Sequence, residues 1–375
     1  MKKIFKMILI SIVILIVLLV LATWGFVSFS PQMGGESSEA DLKKYETGTN
    51  FKEGKFFNET ETNMDMGFKN GIKTMLQFIQ GVKDGKPAFS IPVQGIDSLF
   101  LEKTKQEHKI IWFGHSAFLL QIDSLNVLID PMFGDVPAPH PTLGSKRYSD
   151  SLPIEIDKLP QIDVMIISHD HYDHLDYGSI QKLKGKTNLF YVPLGVGAHF
   201  KEWGVPDENI VEFNWWEQQS LGSLNFVFTP SRHFSGRGLT DRFSTLWGSW
   251  VIQSSEKSIY FSGDSGYGDH FSEIGNKYGP FDFAMIECGQ YNEKWADIHM
   301  TPEESAQAGI DLQAKVAMPI HWGAFTLSLH SWTDPVERII TKAKELNLSL
   351  ITPEIGEVIK IDSLIQEDLN RWWEN

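Results

Sequence analysis

Ser168–Tyr177 reads SHDHYDHLDY and sets His169, His171, Asp173 and His174 within six positions. Neutral imidazole and carboxylate are the donors that borderline-soft Zn2+ takes when catalysis needs an open coordination position. A solvated polar loop would hold Ser, Gly, Asn or Lys as readily. Three later stretches offer further donors: His233 in TPSRH, Asp264 in SGDSG and His321 in PIHWG. Each alone reads as a hydrogen-bonded structural residue, but the three recur at the same kind of place. Seven donors suit two metals that share one carboxylate and one hydroxide. Such a pair lowers the pKa of a bridging water toward neutrality and polarises phosphoryl oxygens. Asp173, a carboxylate beside such a pair, can also take the proton of that water.

That kind of place is a strand end. Asp163–Ile167 (DVMII) is apolar and β-branched, which predicts a strand buried on both faces, with the cluster at its carboxyl end. Leu224–Thr229, Ser258–Ser262 and Val316–Ile320 predict strands that run into His233, Asp264 and His321. Further strands are predicted over Lys109–Phe113, Ala117–Ile122, Val127–Ile129, Leu189–Val192 and Gly248–Gln253. Helices are predicted over Tyr177–Leu183, Gly197–Trp203, Pro335–Leu346 and Pro302–Leu312, the last capped by Thr301 with Glu303 and Glu304 in its first turn. Strands with helices between and after them imply two sheets sandwiched between helical layers, a four-layer α/β fold.

The chain has 375 residues and a net charge of −15, which argues against wrapping a nucleic-acid backbone. Its one cysteine, Cys288, can form neither an intrachain disulfide nor a thiolate zinc site. Lys2, Lys3 and Lys6 precede an uncharged apolar run, Met7–Phe29, about 34 Å long as a helix and so long enough to span a bilayer. Ala22-Thr23-Trp24 supplies no small-residue cleavage site, and no cysteine follows for lipidation. Residues 1–30 therefore read as an uncleaved single-pass anchor, with a removed signal peptide as the alternative, and the lysines favour a cytoplasmic N-terminus and an extracytoplasmic catalytic domain. Ser30–Gly54 reads as a loosely held lead-in, and residues 31–105 together as a linker and extended arm packed on the main domain, with a short helix near Ile72–Ile79. The compact domain spans 106–362, followed by a C-terminal tail, 363–375.

Over about residues 108–360 the order HxHxDH…His…Asp…His resembles the metallo-β-lactamase-fold hydrolase superfamily, an αββα sandwich. WFGH at 112–115, Asp130-Pro131, GSKR at 144–147, SHDHYDHLD, NWWE at 214–217, FVFTPSRH, LWGSW, SGDSGYG, GPFD and PIHWGAF resemble one branch, the N-acyl-phosphatidylethanolamine-hydrolysing phospholipases D. The N-terminal anchor is a departure from the animal enzymes of that branch. The resemblance implies one zinc on His169, His171 and His233, a second on Asp173, His174 and His321, and Asp264 bridging them. It also implies a phospholipid substrate at a membrane. It places His299 near the site, there to contact phosphate or protonate the leaving group, or else to serve structure. Asp130 and Asp176 are candidates for accepting the second N–H of ligand imidazoles. His115 either lines the cleft or makes a turn. His108, His140, His199, His270 and His330 read as surface or structural, and Trp215, Trp216, Trp247 and Trp250 as core packing, with a lipid cradle as the alternative. A nuclease would carry a basic surface or an inserted domain before the last ligands, and a β-lactamase typically lacks the bridging carboxylate. A lactonase could use the same seven ligands and is the alternative. An anchored binding protein with a relic site would have lost ligands, and none is missing.

Overall fold

The computed structural model describes residues 1–64, 67–364 and 369–374. Two β-sheets face each other. One joins seven strands in the spatial order Val358–Lys360, Lys109–Trp112, Phe118–Ile122, Leu125–Ile129, Ile162–Ile166, Thr187–Pro193 and Ile210–Phe213. The other joins Ala317–Ile320, Phe283–Glu287, Ser258–Phe261, Ser249–Gln253, Leu224–Thr229 and Gln218–Leu221. From Leu125–Ile129 to Ile210–Phe213 the first sheet is parallel, as is the second from Ser258–Phe261 to Ala317–Ile320. Parallel strands end at one edge, and Leu224–Thr229, antiparallel to Ser249–Gln253 and so aligned with Ser258–Phe261, ends there too; those ends carry the candidate ligands.

Side-chain alternation explains the layering. Ile110, Trp112, Phe118, Leu120 and Val127 point between the sheets, where they meet Phe226, Trp250 and Phe261. Their neighbours Ile111, Leu119, Leu128 and Met165 point outward to Ile180, Leu183 and Phe200 of the helices Tyr177–Leu183 and Val196–Glu202. The seven-stranded sheet is thus apolar on both faces, and each fully buried side chain contributes about 1.5–3 kcal/mol. Helices His270–Tyr278, Pro302–Asp311 and Asp334–Leu346 complete the fourth layer with Phe271, Ile274, Ala306, Val336 and Ile340. Thr301 and Glu304 form the capping box that starts Pro302–Asp311. The expected αββα sandwich is present.

The start of the chain brings a correction. Lys2–Phe29 is one helix, long and apolar enough to cross a membrane, with no buried residue. The stretch after it is not a loose lead-in. Trp203 Nε1 donates to Pro31 O at 2.7 Å, and Arg237 donates twice to Gln32 O at 2.8 and 2.9 Å. Gly34, at φ +79°, lies so close to the His199 ring that a Cβ would sit 2.1 Å from Nδ1. Tyr45, Phe51 and Phe56 then join the main hydrophobic core, the last two paired across a short hairpin. The helix near 72–79 runs over Phe68–Gln80. At the other end of the chain, Trp372 and Trp373 are buried, with Trp372 stacked on Trp322 at 5.3 Å.

Candidate metal centre

Each candidate donor leaves the end of a strand. His169 follows Ile162–Ile166, His233 follows Leu224–Thr229, Asp264 follows Ser258–Phe261 and His321 follows Ala317–Ile320. The turn at Gly263 has φ +56°, and a Cβ there would meet Gly248 O and Ser168 Cβ at 2.7 Å, so glycine lets these strand ends approach. Three other turn residues, His115, Asp130 and His321, also hold positive φ (55°, 38° and 68°) without being glycine. Such backbone costs on the order of 1–3 kcal/mol each and persists where surrounding contacts over-determine it. One such contact is His321 N–H to His115 O at 3.1 Å.

The donors form two groups. In the first, His171 Nδ1 lies 2.9 Å from His169 Nε2 and 3.2 Å from His233 Nε2, while Asp264 Oδ2 is 3.8 Å from each of those Nε2 atoms. His233 gives its Nδ1–H to Ile298 O at 3.0 Å, and His169 Nδ1 is 2.9 Å from Ser168 Oγ, whose own proton goes to Asp130. Both Nε2 lone pairs therefore face His171 Nδ1, and a single proton there satisfies only one of them. Four donors around a tetrahedral ion at 2.0–2.1 Å stand about 3.3 Å apart, close to these spacings. In the second group, His174 Nε2 lies 3.1 Å from Asp264 Oδ1 and 3.6 Å from Asp173 Oδ2, and His321 Nδ1 is 3.1 Å from Asp264 Oδ1. His174 Nε2 and Asp264 Oδ1 are buried and face each other without a well-formed hydrogen bond. Asp264 belongs to both groups. The donor set fits two divalent cations.

Charge points the same way. Burial, reinforced by neighbouring imidazoles, holds His169 and His233 well below the usual histidine range, and burial with His115 does the same to His321; all three are neutral donors. Burial would lower His174 too, yet Asp264, Asp173 and Asp130 outweigh it and favour a positive charge there. Burial pushes Asp264 up to about 6, helped by Asp173. Asp264, buried, and Asp173, only 15% exposed, both face the His174 imidazole and call for cations between them.

Around this set lie the supports. Asp130 takes His174 Nδ1 at 2.7 Å and both Ser168 N–H and Oγ–H at 2.8 and 2.5 Å. Asp130→Asn should keep the fold and weaken metal affinity about 10- to 100-fold. Competition with a fluorescent chelator measures this, and an unchanged affinity would deny Asp130 that role. His115 lies within the site and not at its rim, with Nε2 3.0 Å from Asp173 Oδ2. Asp176 stands elsewhere: its carboxylate caps Tyr177–Leu183 by accepting Ser179 N–H and Oγ–H, so it has no ligand imidazole to orient. His299 Nδ1 is 3.0 Å from Glu287 Oε1, and its ring lies 5.1 Å from that of His233 and 5.4 Å from that of His321.

Several residues here escaped the reading of the sequence. Glu287 is fully buried, accepts Met300 N–H at 3.1 Å and fixes His299. Asp170 accepts Thr245 Oγ–H and Gly236 N–H, each at 2.8 Å, and lies 3.4 Å from His199 Nε2, which makes His199 structural. Arg237 donates to Asp170 O and Leu175 O, closing the loop of candidate donors onto the segment after the N-terminal helix. Asn58, from the arm, donates to His233 O at 2.8 Å and accepts His233 N–H at 3.1 Å. His270 bonds Ser265 Oγ and His330 accepts Gln290 N–H; His108 bridges Asp123 and Asp362, and His140 is exposed. Trp215, Trp247 and Trp250 are buried in the core, and Trp216 packs at its edge on Tyr278.

Residues 125–322 match the Beta-lactamase superfamily domain. The chain belongs to that superfamily, as a metal-dependent hydrolase of the metallo-β-lactamase fold. It is 36% identical over 333 residues to an uncharacterized protein of Mycobacterium tuberculosis, covering 88% of each chain. It is 30% identical over 267 residues to N-acyl-phosphatidylethanolamine-hydrolyzing phospholipase D 1 of Caenorhabditis elegans, covering 66% of this chain and 74% of that one. Among solved structures, a possible metal-dependent hydrolase from Veillonella parvula superposes with a TM-score of 0.54 at 16% identity, over 68% of this chain and all of its own, and shares the fold.

Proposed function

We propose that this chain hydrolyses a phosphodiester of a membrane phospholipid, releasing phosphatidic acid and the head-group alcohol, with N-acyl-phosphatidylethanolamine as the expected substrate. Two zinc ions would be held by His169, His171 and His233 and by Asp173, His174 and His321, with Asp264 shared. When bound, such a pair supplies an activated water and Lewis acidity toward phosphoryl oxygens. Asp173 takes a proton at Oδ2, and His299 faces the leaving-group oxygen. Lys2–Phe29 anchors the enzyme in the bilayer, with the domain on the extracytoplasmic side.

The observation that carries this reading is the cavity beside His299. It measures about 680 Å3 and is lined by Lys73, Asn292, Lys294, Thr301 and Arg338 among others. Lys294 Nζ is held at 2.8 Å by two neutral oxygens, Thr74 Oγ1 and Gln77 Oε1. Its charge remains available to an anionic substrate group, as a phosphodiester provides and a lactone does not. The similarity to the nematode phospholipase D, which its name says acts on such a lipid, supports the same substrate class. Mass spectrometry after incubation with mixed-micelle phospholipids should find phosphatidic acid with the wild type and none with His321→Ala. Efficient lactone opening without phospholipid turnover would move the protein to the lactonase class.

A further inference from the structure

Helix Phe68–Gln80 is amphipathic, and it faces the wrong way for a soluble protein. Ile72, Met75, Leu76 and Ile79, at i, i+3, i+4 and i+7, form one stripe, and they are 42%, 55%, 50% and 73% exposed. The polar side turns inward. Thr74 is buried, Thr74 and Gln77 hold Lys294, and Lys73, Gln77 and Gln80 line the cavity beside His299. An ordinary surface helix buries its apolar stripe and shows water its polar one. A run of exposed large apolar side chains marks a surface that something else covers.

We propose that this helix lies in the surface of an anionic lipid bilayer, its stripe among the upper acyl carbons and its polar face over the cavity, so that the cavity is held against the membrane. Charge selects the lipid. Residues 67–86 hold Lys69, Lys73, Lys83 and Lys86 against the single acid Asp84, in a chain of net charge −15. An amphipathic helix with an apolar stripe, and with lysines on it and just after its end, is the form that binds headgroups and acyl chains together. The membrane-length helix Lys2–Phe29 and its clamp on Trp203 and Arg237 bring a bilayer to the same molecule. The docking goes beyond the phosphodiesterase reading and does not depend on which bond is cut.

The test uses the full chain in vesicles of phosphatidylcholine with a minority of phosphatidylglycerol. Met75→Cys and, separately, Glu256→Cys are labelled with an environment-sensitive fluorophore; the native Cys288 is buried and stays unlabelled. Both positions are exposed, so neither change disturbs the core. The label at 75 should shift to the blue and be quenched by lipids spin-labelled along their acyl chains, while the label at 256 does neither. Ile79→Cys should repeat the result at 75. A water-like, unquenched signal at 75 and 79 overturns the proposal. So does a blue shift that lipid quenchers leave untouched and that grows with protein density, which would show a second copy covering the stripe. Because neither readout is an activity, failure here is separable from failure of the substrate assignment.

Discussion

Asp264→Asn should leave a folded protein that has lost metal and about 10³-fold or more of its hydrolytic rate. Among the described residues, Asp264 is the carboxylate placed between both donor groups, with Oδ2 toward His169 and His233 and Oδ1 toward His174 and His321. Metal-ion catalysis supplies several kcal/mol of transition-state stabilisation, and each 1.36 kcal/mol is tenfold, so losing about 4 kcal/mol gives that factor. The substitution keeps the volume and removes the charge. Elemental analysis beside circular dichroism separates the outcomes: about two ions per wild-type chain and fewer in the folded variant. Full activity in a metal-free preparation would end the assignment.

His299→Ala should lower kcat by about 10²- to 10⁴-fold, the range for loss of a positioned general acid or base, with metal content unchanged. Glu287 holds Nδ1 at 3.0 Å, which aims the opposite edge of the ring along the donor cluster and into the cavity. Added imidazole should restore part of the activity, because the site lost a proton-carrying group and not its scaffold. A wild-type kcat in the variant, or a loss that tracks metal loss, would assign His299 to structure.

The donor cluster was legible because the chemistry is dense in sequence, six positions after a buried strand, and because each later donor also ends a strand. That same rule would have found Glu287, had Phe283–Glu287 been seen as a strand. Its five residues, FAMIE, carry an apolar run too short and unpatterned to separate strand from helix, and only the parallel pairing with Ser258–Phe261 and Ala317–Ile320 decides it. Nothing local distinguishes Asp170 from the candidate donors on either side of it; its partners Gly236 and Thr245 come from far along the chain. The same holds for Asn58, whose value lies in the backbone of His233. Tyr45, Phe51 and Phe56 sit among polar residues without periodicity, so their burial depends on contacts that only the tertiary fold brings together. Asp176 erred in the opposite direction: its carboxylate suits a metal neighbour and a helix cap equally, and the following helix took it.

The clamp on Pro31 and Gln32 begins two residues after Phe29, and Arg237 carries it into the loop that holds His169 and His171. With the helix in a bilayer, as proposed, the domain stands on a stiff post and not at the end of a leash. Its reach is then a single leaflet, and encounters become a search in two dimensions. Diluting the substrate with inert lipid should slow each enzyme, while adding more substrate-bearing vesicles at the same surface composition should not speed it.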